Sequence, residues 1–262
     1  MNISLLNKRA LVCGSTQGIG KAVALELAEM GASVTLVARN EDALKKVLSS
    51  LKTSEHQHHQ YFSADWTNPT ELKNKIENYI SEKKTVNILV NNTGGPPSGA
   101  IISATTEEFL QAFSNHLLCN HILVQATVDG MKSSGYGRVI NIVSTSVKQP
   151  IKGLGVSNTI RAAVGNWAKT LSFELAPFGI TVNNILPGGT KTDRLKSLFE
   201  ATAKRTNKSY EAIENEWLKE IPMGRFAEPA EIAAAVAFLA SPAASYINGI
   251  NLTVDGGRTG CL

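Results

Sequence analysis

The chain has 262 residues, 43% hydrophobic and 18% charged, with a formal net charge of +4, which is enough for one large buried core. Its basic residues are scattered with no run of five, and no apolar run nears the ~18 residues of a membrane span, so a nucleic-acid partner and a membrane helix are both excluded. Cys13, Cys119 and Cys261 are an odd number at unrelated spacings and the N-terminus lacks a leader pattern, which together imply reduced thiols in a cytoplasmic protein.

An apolar run at 9–13 reads as the first strand and leads into Cys13-Gly14-Ser15-Thr16-Gln17-Gly18-Ile19-Gly20 and a helix at 19–30. Glycines at this point allow a tight turn and a close approach of backbone to a pyrophosphate, which the free N–H groups of the helix would bind. Gly14, Ser15, Gln17, Gly18, Ile19 and Gly20 are therefore candidate cofactor contacts, a plain structural turn being the alternative. The second strand, 33–38, ends at Arg39-Asn40 with no acidic residue to accept ribose hydroxyls. Arg39 is suited instead to a 2′-phosphate, so NADP(H) is expected rather than NAD(H).

After a helix at 41–51, the segment 59–63 reads as the third strand, followed by Asp65. His56, His58 and His59 precede it without an acidic or Cys partner at ligand spacing, and no metal is expected. A helix at 71–82 and a strand at 86–91 lead to Asn91-Asn92-Thr93-Gly94-Gly95. A long helical period then runs over 106–133, followed by a strand at 138–143, Ser144 and a helix at 154–176. The sixth strand, 181–186, ends in Pro187-Gly188-Gly189-Thr190-Lys191-Thr192. A polar, helix-patterned excursion over about 192–224 reads as a substrate lid. A helix at 229–240 and a strand at 251–254 complete the chain. Such alternation predicts an α/β fold: one Rossmann-type doubly wound domain over 1–262, with a seven-stranded, mostly parallel sheet and helices on both faces.

These motifs, in this order from residue 8 to about 258, resemble the short-chain dehydrogenase/reductase family, broadly like its 3-oxoacyl-acyl-carrier-protein reductases. The resemblance assigns Asp65 to the adenine and the Asn92–Gly94 turn to the cofactor, with Thr93 in place of the usual Ala. It also assigns Pro187, Gly188 and Thr192 to the nicotinamide end. It implies a carbonyl or alcohol substrate, and assembly as a homotetramer or homodimer through the segments 106–133 and 154–176 and the last strand.

The catalytic positions depart from the family. Ser144 matches the family Ser, but Ser157 stands in the place of Tyr, Arg161 in the place of Lys and His116 in the place of Asn. A Lys-perturbed phenol is an effective proton donor near neutrality, whereas a serine hydroxyl is not. Only Tyr79 has a lysine four residues on, Lys83, and that pair reads as a chance match on a solvated helix face. Ser144 is expected to hold the substrate oxygen and Ser157 to bond substrate or water. Arg161 would supply positive charge, and His116 would relay protons as the one nearby group titrating near working pH. A helix histidine at a subunit contact is the alternative for His116. Lys148, Lys152, Arg161, Lys191 and Arg194 fall in segments expected to border the cleft, which suits an anionic or carrier-bound substrate. Two other functions stay open: an NADP-binding protein without redox activity in a regulatory or assembly role, and an enzyme of altered reaction type.

Overall fold

Each strand of the sheet feeds two apolar layers, because successive side chains point to opposite faces. In β1 (Arg9–Cys13), Ala10 and Val12 face one layer while Leu11 and Cys13 face the other. A computed structural model of the chain describes residues 1–82 and 85–261. It holds seven strands, all paired in parallel: β1, β2 (Ser33–Ala38), β3 (Gln60–Ser63), β4 (Ile88–Asn91), β5 (Gly137–Ile142), β6 (Ile180–Pro187) and β7 (Asn251–Val254), in the spatial order β3-β2-β1-β4-β5-β6-β7.

The first layer is covered by α1 (Gly18–Glu29), α2 (Glu41–Leu48) and α9, which spans Pro229–Ala240. Helix α9 is apolar nearly all round because it is buried between α1 and the sheet, with Ile232, Val236 and Leu239 fully enclosed. The second layer is covered by α3 (Pro69–Ser81), α5 (Cys119–Ser134) and α6 (Gly155–Leu175) through Leu72, Ile76, Leu123 and Ala168. Each such Leu or Ile buried from water contributes about 1.5–3 kcal/mol.

Four asparagines cross the sheet in one line. Asn91 donates to Asn141 at 2.9 Å, Asn141 to Asn184 at 2.9 Å and Asn184 to Asn251 at 2.8 Å. They sit opposite one another in the register of β4, β5, β6 and β7. Shifting any strand by one residue would leave buried amides unpaired, so the ladder fixes the register of half the sheet.

The order of strands turns back between β1 and β4, which opens a crevice at the carboxyl ends of the strands. The long helix expected over 106–133 is instead two helices, α4 (Thr106–Phe113) and α5, joined by a π-helical turn at Ser114–Leu118. The join is not legible in the sequence, because one extra residue in a single turn is too local to read from the apolar pattern. The segment 193–219 forms α7 (Asp193–Thr206) and α8 (Tyr210–Lys219), with a small core of their own. Phe199 is its centre, with ring centroids 5.3 Å from Trp217, 5.6 Å from Phe226 and 5.7 Å from Tyr210.

Among the described residues no helix is long and apolar enough to cross a membrane, and no group of three or more His, Cys, Asp or Glu is gathered for a metal. His59 pins its loop, accepting from the Val34 N–H at 3.0 Å while its other ring nitrogen meets the Lys52 carbonyl at 2.8 Å. Tyr79 is not on a solvated face: it is buried, with its hydroxyl 2.8 Å from Thr35 Oγ1, and it is remote from Ser144; Lys83 lies outside the described residues.

Candidate active site

A cleft of about 650 Å³ lies over the crevice and is lined by the segments that follow β1 to β6. Its first wall is the glycine turn. Gly14 and Gly18 hold positive φ (60° and 53°), a conformation side-chain-bearing residues avoid. A Cβ on Gly20 would sit 2.2 Å from the Gly14 carbonyl oxygen and 2.7 Å from Asn92 Nδ2, so only glycine fits beneath the loop. Asn92 ties the turn down by donating to the carbonyls of Cys13 (3.2 Å) and Gly14 (3.3 Å). Helix α1 begins without a side-chain cap, so its first N–H groups face the cleft with the positive end of the helix dipole.

Gly14, Gln17, Gly18 and Ile19 line the cleft as expected. Ser15 does not: it is fully buried under the loop, its hydroxyl 3.5 Å from the Val37 carbonyl, and Thr16 takes its place on the cleft wall. Arg39 stands exposed at the rim, with no hydrogen bond or ion pair among the described residues. Asp65 lines the cleft next to it, its carboxylate accepting from the Thr67 N–H at 2.9 Å. Asn92, Gly94, Pro187, Gly188 and Thr192 complete the wall. Thr192 also caps α7, accepting from Leu195 N–H at 3.3 Å and donating to the Thr190 carbonyl at 3.2 Å.

Of the four expected catalytic side chains, only Ser144 lines the cleft. Its Oγ accepts from the Ser146 N–H at 3.1 Å, which caps a short helical turn and leaves the hydroxyl hydrogen free to donate outward. Ser157 is 8% exposed and does not reach the cleft surface, contrary to the expected contact with substrate or water. Arg161, 9% exposed, donates from Nη1 to the Ile142 carbonyl at 3.0 Å, while its Nε has no partner. Burial, aided by Arg194, lowers its pKa to about 10, which leaves it charged.

His116 sits inside the π turn, 2% exposed, with Nδ1 2.6 Å from Thr93 Oγ1. Such burial within one protomer rules out a subunit contact. Burial first, then the charges of Arg161 and Arg194, lower its pKa from 6.5 to about 2. The expectation of a histidine titrating near working pH is therefore overturned: the imidazole stays neutral. Thr93 and His116, the two positions where the resemblance expects Ala and Asn, are hydrogen-bonded to each other.

A depressed histidine makes folding stability pH-dependent. Between pH 6.5 and 2 the unfolded chain binds a proton that the folded chain refuses, so stability falls as pH falls below 6.5. From pH 6.5 to 5, wild type is expected to lose about 2 kcal/mol more than His116→Gln in urea unfolding. Equal pH slopes in the two proteins would contradict a buried neutral imidazole.

The charge expected around the cleft is redistributed. Lys148, Lys152 and Lys191 do not line it, and Lys191 is turned to Glu228. Arg194 does line it, donating to the Pro96 carbonyl at 2.6 Å. Two residues the sequence did not single out, Trp217 and Arg258, close the far rim. The Arg258 guanidinium lies 4.5 Å from the Trp217 ring and pairs with Glu220, holding the segment after β7 against α8. Trp217 is one of two aromatics in an otherwise polar helix, and Arg258 carries no local sequence signal.

Residues 14–259 match a family model described as enoyl-(acyl carrier protein) reductase. The chain is 33% identical over 255 residues to 3-oxoacyl-[acyl-carrier-protein] reductase FabG of Vibrio cholerae, a match covering 97% of this chain and 98% of that protein. It is 32% identical over 254 residues to the NADPH-dependent reductase BacG of Bacillus subtilis, covering 96% and 98%. L-sorbose reductase from Gluconobacter frateurii, solved with NADPH and L-sorbose, superimposes with a TM-score of 0.92 at 30% identity over 100% of both chains.

Proposed function

Since this chain belongs to the short-chain dehydrogenase/reductase family, we propose that it is an NADP(H)-dependent oxidoreductase that interconverts a carbonyl and an alcohol through a proton-transfer arrangement without a phenol. Convergence supports this assignment: segments following six strands meet at one cleft, with Ser144 among them. The cradle fits a dinucleotide, since Gly14 and Gly20 leave no room for a Cβ, Gly18 holds a positive φ, and the uncapped start of α1 faces the same space. Gly14–Gly20 would hold the pyrophosphate, Arg39 the 2′-phosphate and Asp65 the adenine. Asn92, Gly94, Pro187, Gly188 and Thr192 would hold the nicotinamide end. When bound, NADPH supplies the hydride.

Ser144 donates its free hydroxyl hydrogen to the substrate oxygen and stabilises the charge that builds there. Arg161 adds permanent positive charge from beneath the Ile142 carbonyl. Neutral His116 and Thr93 support the floor as a hydrogen-bonded pair, and water entering the cleft delivers the proton. The helices α7 and α8 act as the lid over this site, carrying their own core with them. Exposed Leu110, Phe113 and Leu118 near the π turn and Phe173 on α6 offer the apolar surface through which copies of the chain would assemble.

The test is NADPH binding followed by turnover against a panel of small and carrier-bound carbonyl compounds. Arg39→Ala is expected to raise the NADPH Kd by about 30- to 100-fold, the scale of a charge-assisted phosphate contact, and to leave NADH within about twofold. Equal losses for both cofactors would refute the role of Arg39. One observation favours a second reading: His116, Ser157 and Arg161 offer no proton donor that titrates near neutrality. NADPH binding without turnover would make the chain a binding protein of this family.

A further inference from the structure

Gly95 is flanked by two guanidinium groups. A Cβ placed on it would lie 3.2 Å from Arg194 Nη2, 3.4 Å from Arg194 Nε and 3.6 Å from Arg161 Nη2. Both cations therefore converge on one point, and the glycine is what lets them. Arg194 approaches from the cleft, fixed by the Pro96 carbonyl. Arg161 approaches from beneath, fixed by the Ile142 carbonyl, with a buried Nε that nothing satisfies. Among the described residues neither has a carboxylate within ion-pair distance; Asp193 lines the same cleft yet pairs with neither. Two like charges held together with an unpartnered buried donor are a costly arrangement unless an anion completes it.

We propose that Arg161 and Arg194 form the anion subsite of the substrate, and that the substrate is a small oxo acid whose carboxylate docks at Gly95 while its carbonyl meets Ser144. This rests on the reductase reading above. Position favours a carboxylate on the reacting molecule over the distant phosphate of a carrier arm. Gly95 lies four residues beyond Asn91 and Ser144 three beyond Asn141, and those asparagines pair across neighbouring strands. Arg161 is bonded to the residue two before Ser144. An anion at this point therefore sits in the same cleft as Ser144, at the end of the neighbouring strand. The planar fork of an arginine matches a carboxylate with two parallel hydrogen bonds, which a lysine does not.

The experiment uses the full chain saturated with NADPH, with 2-oxobutanoate, 3-oxobutanoate and 2-oxoglutarate, their methyl esters, and inorganic phosphate as probes. Thermal shift reads binding and NADPH absorbance reads turnover. At least one oxo acid is expected to raise Tm, and its ester is not. Arg194→Ala is expected to weaken that acid by 30-fold or more, in Kd and in KM, with NADPH affinity within twofold. Arg194→Lys should recover only part of the loss. Arg161→Met should abolish the response to the acid while keeping or raising Tm in its absence, because a buried, uncompensated charge is removed. An ester that binds as well as its acid, phosphate that shifts Tm as much as the acid, or an Arg194→Ala protein with unchanged acid affinity each overturns the subsite. Failure to bind NADPH at all would instead sink the reductase reading, and acid binding without turnover would sustain the subsite while removing the redox role.

Discussion

Gly20→Ala loses NADPH affinity by about 100-fold or more, measured by fluorescence titration. The new methyl would sit 2.2 Å from the Gly14 carbonyl oxygen and 2.7 Å from Asn92 Nδ2, two groups that hold the turn in place. A carbonyl bonded to its neighbours does not give by an ångström, so the loop must shift and its N–H groups lose their aim at the pyrophosphate. A 100-fold loss corresponds to about 2.7 kcal/mol, within reach of a single misplaced anion cradle. The variant also loses thermal stability, because the same clash strains the first turn of α1. Gly94→Ala provides the contrast in stability: a Cβ there meets nothing within 4 Å, and its Tm should stay close to wild type. Wild-type NADPH affinity in Gly20→Ala would mean that the turn does not bind the cofactor.

Ser144→Ala should lower kcat by about 10²- to 10³-fold, the scale of removing one preorganised donor to a developing oxyanion. The Oγ accepts from Ser146 N–H and lines the cleft, so its hydrogen is free to donate to a substrate oxygen there. Removing it also uncaps a short helical turn, costing about 1 kcal/mol, so kcat is compared at a temperature where both proteins are folded. NADPH affinity should be unaffected. A kcat within threefold of wild type would show that substrate is not activated at Ser144, and attention would move to Arg161 and Arg194.

The two predictions draw on different kinds of information. The glycine turn was legible from residues 9–20 alone, because a strand, a turn and a helix are local and their spacing carries the geometry. Arg39 in place of an acid was legible for the same reason. The catalytic floor was not. His116 was expected to titrate near neutrality, yet burial beside Arg161 and Arg194, 45 and 78 residues away in sequence, holds it neutral. Ser15 was expected in the cleft and lies beneath it, since a turn's spacing does not tell which of its side chains points inward. The π turn at Ser114–Leu118 is too local to read from a pattern that repeats every three or four residues.

By itself the sequence determined the α/β alternation, the order of the segments that wall the cleft, and the Ser157 and Arg161 that stand where the resemblance expects Tyr and Lys. These are short-range patterns of hydrophobicity and glycine, fixed by backbone periodicity. Tertiary structure alone decided the asparagine ladder across β4 to β7, the bond between Thr93 and His116, and the meeting of Arg161 with Arg194 over Gly95. Those features depend on burial and on through-space distance between residues far apart in the chain, which set hydrogen bonding and charge and have no local signature.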